Sequence, residues 1–135
     1  DDCMFIHADN FAKDNLNNFI SKHYNRPKSC LATMMVFETN NPSSCGIIQM
    51  DKKKILTQYI EKPKNNIGKI ANSAIIILSK EFIQMLSKYK NKNEHDFCKE
   101  ILPKFIGKIY CYKTRHFFSD IGTVQNLKNI KLNIQ

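Results

Sequence analysis

The stretch NSAIIILSKEFIQMLSKYK, residues 72–90, decides the fold class. Its first part is a continuous apolar run that reads as a strand with no solvent-facing side, which belongs at the centre of a sheet covered on both faces. Ser79 then stands where a helix cap is needed. Residues 80–90 place Phe82, Met85, Leu86 and Tyr89 on one helical face. A buried strand running straight into an amphipathic helix points to an α/β protein.

Working outward, the same alternation recurs. CMFIHA (3–8) is a short apolar strand. DNLNNFISKHYN (14–25) has a helical face of Leu16, Phe19, Ile20 and Tyr24, with Asp14 placed to cap it and Pro27 just beyond its end. CLATMMVFET (30–39) is a further strand, and NNPSS (40–44) a loop by composition. GIIQM (46–50) and ILTQYIE (55–61), joined by DKKK, carry a hairpin signal. NKNEH (91–95) is a break, after which Asp96 caps FCKEILPKF and Pro103 should end or bend that helix. GKIYCYKT (107–114) is a strand, and VQNLKNIKLNI (124–134) a last amphipathic helix capped by Thr123. The expected fold is α/β, a mixed sheet flanked by helices, in a single domain over 1–135.

Composition narrows the function classes. No apolar run approaches the length of a membrane span, so no membrane partner is expected. The five cysteines form no CxxC pair and are odd in number, which fits reduced thiols in a cytoplasmic protein. His7, His23, His95 and His116 show no metal-ligand spacing and read as ordinary buried or surface imidazoles. The net charge is +9, but the lysines are spread along the chain without aromatic interleaving, so nucleic acid is not the expected partner. The opening DDCMFIHADN has no basic leader and no initiator Met, and it enters an apolar run by its third residue. It is expected to be a piece of a longer protein whose amino-terminal part precedes residue 1. A strand left without its neighbour there would favour a homo-oligomer.

In open α/β sheets ligands bind beyond the carboxyl ends of strands. Three polar groups stand at such ends: Asp9 after MFIHA, Glu61-Lys62 after LTQYI, and Asp120 after RHFFS. Each has a plain alternative, an Asx turn for the two aspartates and a solvated strand end for the Glu-Lys pair. Together they suit phosphoryl chemistry. Two carboxylates distant in sequence can meet across a cleft around Mg²⁺, and a lysine beside them can hold a phosphate.

These segments also resemble those of a known family, the sugar-1-phosphate nucleotidyltransferases (nucleoside-diphospho-sugar pyrophosphorylases). FIHADN looks like that family's strand-plus-Asp motif. CGIIQMDKKKILTQYIEKPKNN is similar to its Gly-strand, turn, strand and Glu-Lys-Pro segment. ANSAIIILS resembles its next strand, and DFCKEILPKFIGKIYCYKTRHFFSDIGT its closing stretch ending in Asp-x-Gly-Thr. The likeness runs in order from about residue 3 to residue 130.

The resemblance implies the carboxyl-terminal part of a Rossmann-like nucleotide-diphospho-sugar transferase fold. It implies Mg²⁺-dependent transfer of a nucleotidyl group from a nucleoside triphosphate to a sugar 1-phosphate, with release of pyrophosphate, in polysaccharide biosynthesis. By position, Asp9, Asp120 and Lys62 would be catalytic, and Asp9 and Asp120 would hold the metal. Lys62 would contact the sugar phosphate, Glu61 would accept sugar hydroxyls, and Asn72 would line the sugar pocket. Gly46 would let the sugar approach the backbone, since no Cβ stands in the way. The Glu-Lys-Pro and Asn-x-Ala segments look most like the branch that guanylylates mannose 1-phosphate or a heptose phosphate. Three features depart from the family pattern. Its glycine-rich nucleotide loop is absent, so the fragment is expected to be inactive alone. Ala74 stands where glycine is usual, and Phe117, Phe118 and Ser119 precede Asp120. The alternative is a non-catalytic regulatory or interaction module that retains the fold.

Overall fold

The computed structural model describes residues 1–88 and 96–134, so Tyr89, His95 and the break over 91–95 lie outside the described residues. The elements run β1 (Cys3–Ile6), β2 (Asn10–Ala12), α1 (Leu16–Tyr24), β3 (Ala32–Glu38), β4 (Gly46–Met50), β5 (Leu56–Glu61), β6 (Ile70–Leu78), α2 (Lys80–Lys88), β7 (Ile109–Lys113), β8 (Phe118–Asp120) and α3 (Val124–Ile134). A mixed sheet is ordered β5-β4-β6-β3-β7, and β1 also pairs with β6. The α/β class with a mixed, helix-flanked sheet is therefore present.

The 72–78 run lies at the centre, as its composition requires. β6 is antiparallel to β3 along one edge and to β1 along the other, with Cys3 opposite Leu78 and Ile6 opposite Ile75. The two faces divide by residue parity. Ala32, Met34, Val36, Ile76 and Leu78 face one core, which α2 and the segment after residue 96 close with Phe82 and Phe105. Those two rings lie 4.2 Å apart. Met35, Ile75 and Ile77 face the other core, which Phe19 of α1 closes. Each such buried side chain stabilises the fold by about 1.5–3 kcal/mol.

In the β4–β5 hairpin β4 has the predicted limits and β5 starts one residue later, at Leu56, and Asp51 accepts from the Lys53 and Ile55 amides across the turn. The turn residues 51–54 are exposed, but the backbone leaving the turn is tied down. Ile55 bridges to Tyr110, the Cys111 amide donates to the Lys54 carbonyl, and the Gly107 amide donates to the Leu56 carbonyl. The hairpin thus folds over the first core and reaches the β7 edge. Local sequence holds no signal for this, because the partners lie more than fifty residues away.

Three expectations about helix ends meet the structure differently. Asn15, not Asp14, caps α1, its side chain accepting from the Asn17 amide. Asp14 is instead held by the Tyr112 hydroxyl at 3.3 Å. Asp96 does cap the next segment, but Pro103 prevents a regular α-helix there. A π turn over Phe97–Ile101 passes into a 3₁₀ turn over Leu102–Phe105. The proline has no N–H to return to the preceding turn, so the hydrogen-bond register changes. Ser79 and Thr123 cap α2 and α3 as expected. His23 is buried between the Thr33 hydroxyl and the Asp2 carboxylate, and burial lowers its pKa. That is a structural role.

The central strand is irregular in one place. Met34 pairs with Ile76 and Val36 with Asn72, so β6 carries two extra residues there. Ala74 takes up the irregularity with φ +54°. Its amide is met by Asn72 Oδ1, while Ser73 Oγ donates to the Met35 carbonyl and accepts from the Ile75 amide. A left-handed conformation costs a residue with a Cβ roughly 1–2 kcal/mol. This would give a backbone reason for the glycine that the resemblance implies at this position. Ala74→Gly is expected to stabilise the fold by about 0.5–1 kcal/mol, measured as a raised denaturation midpoint with an unchanged slope. A lowered midpoint would mean that the lost methyl contact outweighs the relief.

Candidate active site

The irregular stretch of β6 opens a cleft. β1 covers residues 75–78 of one edge of β6, and β4 meets that same edge only at Ala71. Between them no strand pairs along this edge among the described residues, and the His7 amide donates to the Ala74 carbonyl. The end of β1, the start of β4 and the bulge of β6 therefore surround a space of about 190 Å³. Asp9, Gly46, Glu61, Asn72 and Asp120 all line it. Glu61 arrives there although β5 runs opposite to β1, because Gly46 sits directly across from it in the hairpin register.

The aspartates come together through a small second sheet that the sequence did not reveal. β2 pairs antiparallel with β8, Asn10 lying opposite Asp120. The Ile121 amide donates to the Asp9 carbonyl at 2.7 Å, and the Gly122 amide donates to Asp120 Oδ1. A Cβ on Gly122 would lie 2.8 Å from Asp120 Oδ1 and 3.3 Å from Asp9 Oδ2. Both carboxylates thus converge on one point, and a side chain at 122 would collide with them. Asn10 ties this unit to the bulge by donating to the Ser73 carbonyl at 2.6 Å.

These two groups form an exposed, all-oxygen donor pair, the chemistry Mg²⁺ favours when waters and phosphate oxygens complete its shell. Among the described residues no three metal-ligating side chains cluster.

The opposite wall is built on Glu61. Tyr59 Oη donates to Glu61 Oε2 at 2.6 Å. The tyrosine is 8% exposed, and burial together with the Glu61 charge raises its pKa, so the phenol stays protonated. The Asn72 carboxamide lies against the same phenol and donates to Cys98 Sγ at 3.6 Å. Burial pushes the Cys98 thiol up to about 11, so it too is neutral. The wall thus holds a chain of neutral groups, Cys98, Asn72 and Tyr59, that ends on the Glu61 carboxylate.

Gly46 is where the motif places it, with a different neighbour from the one expected. A Cβ there would overlap Tyr59 Oη and lie 2.8 Å from Glu61 Oε2. The space left by the missing side chain is filled by the tyrosine. Lys62 is not among the residues lining the cleft. It is exposed at the rim with φ +46°, its amide donating to the Cys45 carbonyl. Pro63 behind it is buried. Tyr59, Cys98, His7 and the Phe37–Phe118 pair, whose rings lie 4.3 Å apart, complete the walls. Sequence reasoning missed them. A signal did exist for Tyr59: it stands two residues before Glu61, so in a strand both share a face.

The comparisons agree with this architecture. The family model described as nucleotidyl transferase matches residues 1–135. A glucose-1-phosphate adenylyltransferase of Fervidobacterium nodosum is 31% identical over 111 residues, 77% of this chain and 27% of the relative. A protein of Sulfolobus acidocaldarius assigned as a mannose-1-phosphate guanyltransferase is 25% identical, over 99% of this chain and 36% of the relative. In fold, the chain resembles a Bacillus anthracis structure assigned as a glucose-1-phosphate thymidylyltransferase, with TM-score 0.82, 16% identity and coverage of 98% of this chain and 54% of that one. It also resembles HddC from Yersinia pseudotuberculosis, with TM-score 0.76, 21% identity and coverage of 99% and 56%. The chain spans about a third or less of these two curated relatives and just over half of the two structures. With a cleft joining the Asp-Asn turn, the Glu-Lys-Pro hairpin end and the Asp-Ile-Gly-Thr turn, and with a family model matching from first residue to last, this chain belongs to the nucleotidyl transferase family.

Proposed function

We propose that this chain is the acceptor-binding part of a Mg²⁺-dependent enzyme that transfers a nucleotidyl group from a nucleoside triphosphate to a sugar 1-phosphate. The observation that carries the proposal is the cleft itself, in which Asp9 and Asp120 converge opposite a braced Glu61. Asp9 and Asp120 would hold Mg²⁺, which when bound would neutralise charge on the phosphates. Glu61 would accept hydrogen bonds from sugar hydroxyls. Lys62, at the rim, would reach the acceptor phosphate, which fits a flexible cation better than a place in the wall. An acceptor held this way presents its phosphate oxygen to the α-phosphorus, and pyrophosphate leaves.

Guanylyl transfer to mannose 1-phosphate or a heptose phosphate is the proposed pairing, in the cytoplasm, supplying activated sugar for polysaccharide synthesis. The likeness to the Sulfolobus acidocaldarius relative supports it. The test is pyrophosphate release by the full-length protein with Mg²⁺, across the common nucleoside triphosphates and a panel of sugar 1-phosphates. GTP with mannose 1-phosphate or a heptose 1-phosphate is expected to give the highest kcat/KM. A different best pair would reassign base and sugar while keeping the reaction. Silence with every pair would favour a non-catalytic module.

A further inference from the structure

We infer that Tyr59 is a positioning residue for acceptor binding: its hydroxyl, seated over Gly46, fixes the Glu61 carboxylate so that one oxygen is held by the protein and the other is left for a sugar hydroxyl. The inference rests on the function proposed above, and three independent features of the wall support it.

First, the Tyr59 side chain is buried in the main core, opposite Ile48 in the hairpin register, so its hydroxyl has a fixed place. Second, that place is the space above Gly46, which any side chain there would take away. Third, the hydrogen bond to Glu61 is short, at 2.6 Å, and joins a neutral donor to a charged acceptor in a half-buried setting, where such bonds are strong.

The physical benefit is preorganisation. Glu61 ends the outermost strand of the main sheet and is only half buried. A free glutamate there would sample several rotamers and lose that freedom on binding sugar. Tyr59 removes this cost before the ligand arrives. It also shapes recognition. With Oε2 already accepting, Oε1 is the atom offered to the ligand, so the wall reads a hydroxyl donor and discriminates against a deoxy sugar that leaves Glu61 unpaired.

The test uses the full-length protein. In Tyr59→Phe the KM for sugar 1-phosphate should rise roughly tenfold, with the KM for nucleoside triphosphate unchanged. In Glu61→Ala the loss should be larger, and adding Tyr59→Phe to it should cost no more acceptor affinity, because the hydroxyl then has no carboxylate left to hold. A purely structural tyrosine would lower thermal stability but leave acceptor KM alone, and that result overturns the inference. So do additive effects in the double variant.

A second readout does not depend on turnover. A hydroxyl proton this buried and short-bonded should exchange slowly enough to be seen by proton NMR. It should vanish in Tyr59→Phe and move in Glu61→Gln. If no substrate pair reacts, the proposed function fails while this signal still decides whether Tyr59 holds Glu61. Its absence from the parent protein would overturn the positioning role by itself.

Discussion

Asp9→Asn and Asp120→Asn should each cut pyrophosphate release by the full-length protein by about 10³-fold, the scale of a lost charge-stabilising group in a reacting site. Asparagine keeps the size and one oxygen of aspartate, so the change removes charge and little else. The stability readout is the decisive companion. The two carboxylates converge on one point beside Gly122 and repel each other when no cation lies between them. Without metal, each variant should therefore be as stable as the parent or slightly more so. Loss of activity with retained stability is the mark of a functional group held against its own interest. Normal turnover in either variant would remove that residue's metal role. A large drop in stability would instead assign Asp120 to its turn, where it accepts from the Gly122 amide.

The second large effect is at Gly46. In Gly46→Ala the new methyl collides with Tyr59 Oη and comes within 2.8 Å of Glu61 Oε2. Gly46 and Glu61 face each other in the hairpin register, so the strand cannot move aside without opening the ladder. Overpacking of this kind costs about 1–3 kcal/mol, to be read from the denaturation midpoint. The acceptor KM should suffer more than stability does, because the tyrosine is driven off the carboxylate it holds. Adding Tyr59→Phe should recover part of the stability, since the hydroxyl is gone, but none of the acceptor affinity. A Gly46→Ala protein with parental stability and parental KM would show that the space above residue 46 is empty.

Much of this was legible in the linear sequence, and for identifiable reasons. The 74–78 run named its own position, because five consecutive apolar residues leave a strand no solvent-facing side. The hairpin was signalled by two β-rich runs joined by the short polar link DKKK. Asp9, Glu61 and Asp120, which line the cleft, were singled out because side chains turn outward where strands stop. Gly122, which in the sequence is only one letter of a motif, owes its place to two carboxylates.

Other features were illegible because the sequence offers equal candidates and only the tertiary fold chooses. Asp14 and Asn15 are both good caps, and the Tyr112 hydroxyl took Asp14 away. β2 and β8 are three residues each, too short to show a period, and exist because they pair with each other. Lys62 follows Glu61 directly, but β5 ends at Glu61 and the backbone of Lys62 turns left-handed with φ +46°. Only Glu61 turns into the cleft.

By itself, the sequence determined which residues bury and which bear charge, since solvation is a property of each side chain and its period. That settled the class of fold and the chemical kinds of group available. The tertiary structure decided which of those groups meet. The meeting of Asp9 with Asp120, and of Tyr59 with Gly46 and Glu61, depends on strand pairing and on a bulge in β6 held by side-chain hydrogen bonds. Such pairings are set by the packing of the whole chain, to which each local stretch contributes only a part.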